Sequence, residues 1–145
     1  MDHSNRNEKT TDFAFNTDEG IGWILYPTLN FDKTLGFFRD QMGMHIADEG
    51  VAVSDYHFNR YAQINMPDET VIEIVEPKSE FKDQFTHPII SITDDQLEER
   101  VNHMLAEGIV FISDVIHAND GWGWIYFKTH EEIVFQLQGP YTPPE

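Results

Sequence analysis

GWGWIYFKTHEEIVFQLQGP, residues 121–140, decides the fold of this 145-residue chain. Its first half is aromatic and β-prone, as expected of a strand. A polar break at residues 129–132 follows, and residues 133–138 then alternate apolar and polar side chains in period two. The pattern predicts a β-hairpin whose second strand places Gln136 and Gln138 on one face. An amide in the middle of so apolar a strand needs a hydrogen-bond partner or a cavity.

An earlier stretch has the same pattern. Residues 65–77, NMPDETVIEIVEP, contain a polar turn followed by a strand in which Ile72 and Ile74 share one face and Glu73 takes the other. Both strands end at a proline, and 63 positions separate Glu73 from Gln136. The two residues therefore occupy equivalent places in two similar units.

Composition limits the classes of function. A formal net charge of −17 argues against binding to nucleic acid or to an anionic membrane surface. The chain has no cysteine, which excludes disulfides and thiolate metal sites. No apolar run is long enough to cross a bilayer, and residues 1–18 lack the apolar core of a signal peptide. We therefore expect a disordered N-terminal tail over residues 1–18 and a cytoplasmic protein.

The rest of the chain alternates strand and helix signals. Asn30 is a suitable N-cap for an apolar stripe at helical spacing, which predicts a helix over residues 30–42 that ends at Gly43. Asp95, with Glu98 in the capping-box position, predicts a second helix over residues 95–107. The predicted strands are residues 21–28, 50–54, 60–66, 71–77, 87–93, 109–116 and the two of the hairpin, with a charged linker at 78–86.

The order of these elements repeats at a nearly constant offset. Trp23 and His87 are 64 positions apart, and Gly43 and Gly108, each at a helix end, are 65 apart. The sequence thus predicts an α+β fold of two βαβββ modules, residues 19–79 and 80–140 within a domain of 19–145. Each helix should cover the outer face of a curved mixed sheet around a central cavity.

On these marks the chain resembles the vicinal oxygen chelate superfamily, which includes glyoxalase I, bleomycin resistance proteins, fosfomycin resistance transferases and extradiol dioxygenases. The similar stretches are NFDKTLGFFRD, PDETVIEIVEP, HPIISITDD and WGWIYFKTHEEIVFQLQ. They extend over roughly residues 21–140. Because one scaffold carries many chemistries, the resemblance implies the fold more strongly than the activity.

The resemblance also implies where a metal would bind. The superfamily draws ligands from the first and last strand of each module, which here correspond to Trp23, Glu73, His87 and Gln136. An indole cannot ligate, since its N–H is only a donor. Glu73, His87 and Gln136 remain as a reduced site for a divalent ion such as Zn, Ni, Mn or Fe.

Three functions stay open on this basis, the third being a protein that binds a partner and no small ligand, for which the sequence has no positive feature. The first is a glyoxalase/bleomycin resistance-like protein that binds a small organic molecule, cationic or aromatic, in the sheet concavity. Its metal site would be degenerate, and Trp23, Glu73, His87, Trp122, Trp124 and Gln136 would contact the ligand. The second is a metal-dependent lyase, isomerase or dioxygenase that acts on vicinal oxygens. The resemblance further implies a homodimer.

Five further histidines lack metal-like spacing. We expect a surface position for each of them: His45, His57, His103, His117 and His130.

Overall fold

The computed structural model describes residues 21–144. The predicted tail, residues 1–18, lies outside this range. Two helices are present in the described part, α1 (Phe31–Gly36) and α2 (Leu97–Ala106). Nine strands form one sheet: β1 (Ile21–Pro27), β2 (Asp48–Val51), β3 (Phe58–Asn65), β4 (Val71–Pro77), β5 (Ile89–Thr93), β6 (Val110–Phe111), β7 (Ile116–Ala118), β8 (Trp122–Lys128) and β9 (Val134–Pro140).

The strand order confirms the α+β fold of two βαβββ modules. The sheet runs β2-β3-β4-β1-β5-β9-β8-β6, and β7 also pairs with β8. Within each module the first and last strands are parallel neighbours, β1 with β4 and β5 with β9. The modules join where β1 and β5 run antiparallel. Glu73 and Gln136 thus lie on corresponding strands, as predicted.

The first helix begins as the sequence predicted. Asn30 Oδ1 accepts the backbone N–H of Lys33, and Phe31 and Leu35 are buried against the sheet. The helix continues as a π-helical turn over Phe37–Gln41. Gly43, with φ of +75°, then takes the left-handed conformation that suits glycine at a helix end.

The second helix starts later than predicted. Its N-cap is Gln96, whose side chain makes no capping hydrogen bond, so the predicted capping role of Asp95 is wrong. Asp94, two residues before Gln96, is buried and accepts hydrogen bonds at the start of the helix. One of its oxygens accepts the N–H of Gln96, and the other accepts Nε of Arg100 at 2.7 Å.

The sheet separates two kinds of apolar packing. On the helix side, α1 covers Ala62, Ile64 and Ile74, and α2 covers Ile125 and Leu137. The opposite face carries a third cluster, to which β1, β5 and β8 contribute Leu25, Ile89 and Tyr126. Trp23 and Trp124 pack at the border of this third cluster. Period-two alternation therefore divides each strand between helix and cavity, as the sequence predicted.

Two segments differ from their predictions. Residues 109–116 form no continuous strand, because the chain bends between β6 and β7 and both short strands pair with β8. The predicted linker contains a short 3₁₀ turn, Ser79–Phe81, and buries Phe85 in the cavity-side cluster. The partly buried Phe81 packs against the same cluster, so two apolar side chains of the linker hold the crossing between modules against the core.

Candidate functional site

The concave face of the sheet encloses a cavity of about 480 Å³. Both modules contribute to it, and so does the chain segment from β2 to β3. The lining consists of Trp23, Val51, Ala52, Val53, Ser54, Asp55, Phe58, Tyr61, Gln63, Glu73, Val75, Ala118, Asp120, Trp122, Trp124, Tyr126, Gln136 and Gln138. This volume and mixture of aromatic and polar groups are typical of sites for small organic ligands.

The structure places five of the six predicted site residues in this lining: Trp23, Glu73, Trp122, Trp124 and Gln136. His87 is not among the lining residues. It precedes β5, is only partly buried, and its Nδ1 lies 3.2 Å from the hydroxyl of Thr86. The expected convergence of His87 with Glu73 and Gln136 is therefore absent from the cavity that the structure describes.

The registers of the two parallel strand pairs explain the position of His87. In the parallel pairs, Leu25 lies opposite Glu73 and Ser91 lies opposite Gln136. With Glu73 equivalent to Gln136, Leu25 corresponds to Ser91 and Trp23 to Ile89, an offset of 66 positions in place of the expected 64. His87 therefore lies two residues before Ile89, the counterpart of Trp23. A shift of two residues keeps the face but moves the side chain along the strand.

The lining also contains a carboxylate that the sequence analysis missed. Asp55 lies in the segment between β2 and β3, and four N–H and O–H groups donate to it. Oδ1 accepts the backbone N–H and Nδ1 of His57 at 3.0 and 2.7 Å, and Oδ2 accepts Trp124 Nε1 at 2.9 Å and the Tyr126 hydroxyl at 2.6 Å. These bonds tie a loop of the first module to a strand of the second.

The four donors saturate the Asp55 carboxylate and keep it ionised. Burial pushes the pKa of Asp55 upward, but the bonds from His57, Tyr126 and Trp124 outweigh it, and the pKa lies below its ordinary value. The same environment raises the pKa of Tyr126 well above its ordinary value, through burial first and the Asp55 charge second. Tyr126 therefore acts as a neutral donor at all ordinary pH values.

A chain of side-chain hydrogen bonds continues from Tyr126 across the floor of the cavity. Gln136 Nε2 donates to the Tyr126 oxygen at 3.2 Å, and the Ser91 hydroxyl donates to Gln136 Oε1 at 2.5 Å. Gln138 Nε2 donates to Ser91 Oγ at 2.6 Å, and Trp122 Nε1 donates to Gln138 Oε1 at 2.8 Å. We call this series, from Trp122 to Asp55, the polar relay.

The direction of every bond in the polar relay follows from its two ends. An indole N–H can only donate, so Gln138 must present its oxygen to Trp122 and its nitrogen to Ser91. Ser91 then has its proton left for Gln136, whose nitrogen turns to Tyr126. At the far end the ionised Asp55 can only accept. All donors point toward the carboxylate, and such aligned chains are mutually strengthening.

Glu73 is a second, partly buried acid of the site and has a different environment from Asp55. It accepts one side-chain hydrogen bond, from Gln63 Nε2 at 2.9 Å. Burial raises the pKa of Glu73 to about 7, against the opposing effect of the Gln63 bond, and the charges of Asp55 and Asp48 add to the rise. Glu73 therefore exchanges its proton near neutral pH and retains oxygen lone pairs for another partner.

His57 contradicts its predicted surface position. The ring is fully buried, stacked on Tyr56 at a centroid distance of 4.1 Å and surrounded by Phe81, Phe85 and Tyr126. Its Nδ1 donates to Asp55, whereas its buried Nε2 makes no hydrogen bond to the described residues. His57 thus positions Asp55 from behind the cavity wall and does not line the cavity.

The side chains present do not fit a divalent ion. Among residues 21–144, no three His, Cys, Asp or Glu side chains lie close enough together to hold a metal. The polar relay engages the Gln136 oxygen with the Ser91 proton, and Trp23 offers no lone pair. Glu73 is left as a single carboxylate, whereas a bound divalent ion needs about three protein ligands.

Sequence reasoning found the strand residues of the site and missed the loop residue. One signal was available for part of the polar relay, since Ser91 and Gln138 lie on the same strand faces as the predicted site residues. No local pattern marked Asp55, because its partners Trp124 and Tyr126 are 69 and 71 residues away along the chain.

No protein-family model and no curated protein sequence matches the chain significantly. Solved structures do. A hypothetical protein from Bacillus halodurans aligns with a TM-score of 0.65 at 15% identity, over 86% of this chain and 96% of that one. Methylmalonyl-CoA epimerase from Mycobacterium tuberculosis gives 0.65 at 14% identity, over 91% and 96%. A variant of 4-hydroxymandelate synthase from Streptomyces coelicolor gives 0.55 at 10% identity, over 85% and 48%.

These similarities establish the fold. The epimerase and the synthase are members of the vicinal oxygen chelate superfamily, so the chain has the fold that its sequence resemblance implied. Identities of 10 to 15% carry no substrate or site residue across. Within the described residues, no helix is long and apolar enough to span a membrane.

Proposed function

We propose that the protein binds a small organic molecule with an apolar or aromatic body in the sheet concavity. The observation that carries this proposal is the composition of the cavity wall. Six aromatic side chains from both modules surround a volume suited to a small ligand: Trp23, Phe58, Tyr61, Trp122, Trp124 and Tyr126. Rigid aromatic walls with a few fixed polar groups favour ring-containing ligands.

The hydrogen bonds of the indoles support a site that is formed before the ligand arrives. Trp122 Nε1 is held by Gln138, and Trp124 Nε1 is held by Asp55. Fixed rings lose little conformational entropy when a ligand packs against them, which favours binding. The bulk of Trp23 occupies the position where the superfamily resemblance implied a metal ligand.

Tryptophan fluorescence provides a direct test, because all three tryptophans of the chain line the cavity. Titration with small aromatic compounds should change the emission intensity or wavelength in a saturable manner. Trp23→Ala and Trp122→Ala should each weaken binding, while a substitution of exposed Tyr56 to Phe, outside the lining, should not. If cationic, anionic and neutral aromatic probes all fail to change the tryptophan emission in a saturable manner, the proposed function is wrong.

A second candidate is a proton-transfer enzyme such as an isomerase or epimerase, with Glu73 as the acid or base. The pKa of about 7 favours it, since a catalytic acid or base works best near the operating pH. One structural neighbour, a methylmalonyl-CoA epimerase from Streptomyces coelicolor, was solved in complex with 2-nitronate-propionyl-CoA. For this chain, deuterium exchange at a carbon next to a substrate carbonyl would support the candidate, provided that Glu73→Gln abolishes the exchange.

The homodimer stays a prediction from the resemblance. Size-exclusion chromatography with light scattering would measure it, and a monomeric mass across micromolar concentrations would contradict it.

A further inference from the structure

The three carboxylates of the cavity differ in what they can still bind. Asp120 is exposed at the rim, and its Oδ1 accepts the backbone N–H of Trp122. Asp55 is saturated by four donors. Glu73 accepts one bond from Gln63 and has no Lys, Arg or His partner among the described residues. Only Glu73 combines partial burial with unused acceptor capacity.

The lining supplies no positive charge. None of its described residues is Lys, Arg or His. Arg60, on β3, is held on the helix side, where it bonds Asp32 at 2.7 Å and stacks over the Phe31 ring at 4.1 Å. An anionic ligand would therefore meet Asp55 and Glu73 with no compensating cation, at a large electrostatic cost in a partly buried site.

We propose that the ligand is an organic cation, an ammonium or guanidinium group on an apolar or aromatic body, whose positive charge pairs with Glu73. This inference rests on the proposed function and specifies the chemical class of its ligand. The indoles of Trp23, Trp122 and Trp124 support it, because aromatic faces attract cations and pack against apolar chains. Asp55, fully hydrogen-bonded, adds long-range attraction without a direct contact.

Binding should release protons near neutral pH. The groups that act electrostatically on Glu73 are Asp48 and Asp55, which repel its charge, and Tyr61 and Tyr126, whose pKa values are raised so that both remain neutral. A cation beside Glu73 favours its ionised form. The carboxyl, half protonated near pH 7, would therefore give up its proton as the ligand enters. Calorimetry in two buffers of different ionisation enthalpy measures this proton directly.

Three compounds of matched size test the charge preference: phenethylamine, 2-phenylethanol and 3-phenylpropionate. We expect phenethylamine, which is protonated at pH 8, to bind at least tenfold more tightly than the alcohol, and the carboxylate to bind least. Glu73→Gln keeps the shape and the contact with Gln63 and should remove at least nine tenths of the amine affinity. It should change the affinity of the alcohol less than twofold. Glu131→Gln removes an exposed carboxylate outside the lining, so it is the matched control and should leave both affinities within twofold.

The outcomes separate the two proposals. If the alcohol or the carboxylate binds as tightly as the amine, the cation inference is wrong while small-molecule binding stands. If the amine binds but Glu73→Gln binds it equally well, the assignment of Glu73 is wrong. If none of the three compounds changes tryptophan emission at millimolar concentration, the proposed function and the inference fail together. Far-UV circular dichroism of each variant establishes that it is folded.

Discussion

Substitution of Ser91 by alanine interrupts the polar relay at its centre. Ser91 is fully buried, donates to Gln136 Oε1 at 2.5 Å and accepts from Gln138 Nε2 at 2.6 Å. Alanine fits the space, because it only removes the hydroxyl. The change leaves an amide oxygen and an amide N–H, each on a residue that is less than 10% exposed, without their partners.

The expected loss follows from the two groups left unpaired. A buried polar group that has lost its hydrogen-bond partner lowers the free energy of unfolding by about 1–3 kcal/mol. A hydrogen bond whose groups can bind water in its place contributes only about 1 kcal/mol. Two such groups, with some relaxation of the cavity side, give about 2–4 kcal/mol in the free energy of unfolding. For a domain of this size that is a fall in Tm of roughly 6–15 °C.

Urea unfolding followed by far-UV circular dichroism measures this loss without relying on the tryptophans, which belong to the site. Ser113→Ala is the matched control, because the Ser113 hydroxyl accepts only one long bond, from the backbone N–H of Tyr126 at 3.5 Å. It should lose no more than about 0.5 kcal/mol.

A double-mutant cycle tests whether the loss comes from unpaired groups. Gln136→Leu alone leaves the Ser91 hydroxyl without its hydrogen-bond acceptor. Ser91→Ala combined with Gln136→Leu removes both the donor and the acceptor of this bond. The double variant should therefore lose less than the sum of the single losses, by about 1 kcal/mol or more. A loss for Ser91→Ala equal to that of Ser113→Ala, or strict additivity in the cycle, would refute the polar relay.

Three further changes test other parts of the structure. Burial raises the pKa of Glu73 to about 7 from an ordinary value of 4.5, so its ionisation destabilises the fold as pH rises through that range. In urea unfolding, Glu73→Gln should therefore have the same free energy of unfolding as the parent near pH 4.5, and one higher by up to about 3 kcal/mol at pH 8. Gly139→Ala should destabilise by about 3 kcal/mol or more, since its Cβ would overlap the backbone oxygen of Asp94, and a Tm within 2–3 °C of the parent would contradict this. The double variant Trp23→His with Gln136→Glu should retain more zinc, nickel or manganese after dialysis than the parent, because it adds an imidazole and a carboxylate to the cavity that Glu73 lines. Equal metal contents would refute the assignment of these positions to the ligand positions of the superfamily.

The sequence by itself determined which residues share a face of a strand. In β4 and β9, period-two alternation put the apolar residues on the face that packs against the helices. Glu73 and Gln136 therefore lie on the other face, which has to accommodate polar groups. The Asn30 cap and the glycines after each helix marked most of the helix boundaries for the same local reason, since caps act within one turn. These signals sufficed for the two-module fold.

Helix and strand details that depend on neighbours were less predictable. The capping-box spacing predicted Asp95 at the start of α2, whereas in the structure the buried Asp94, paired with Arg100, accepts the N–H of Gln96. His87 was assigned by a constant offset, whereas the β1–β4 and β5–β9 registers set an offset two residues longer. Register is a property of two strands in contact, and neither strand specifies it alone.

Only the tertiary structure decided the electrostatics of the site. Asp55 and His57 lie in a loop with no distinguishing pattern, yet the fold buries both and brings Trp124 and Tyr126 to the same carboxylate. The physical reason is that hydrogen bonds and desolvation depend on distances in space between groups far apart in the chain, whereas alternation and capping act between near neighbours. The sequence could therefore place Glu73 at the cavity, but its raised pKa and the saturation of Asp55 arise only once both modules surround the same space.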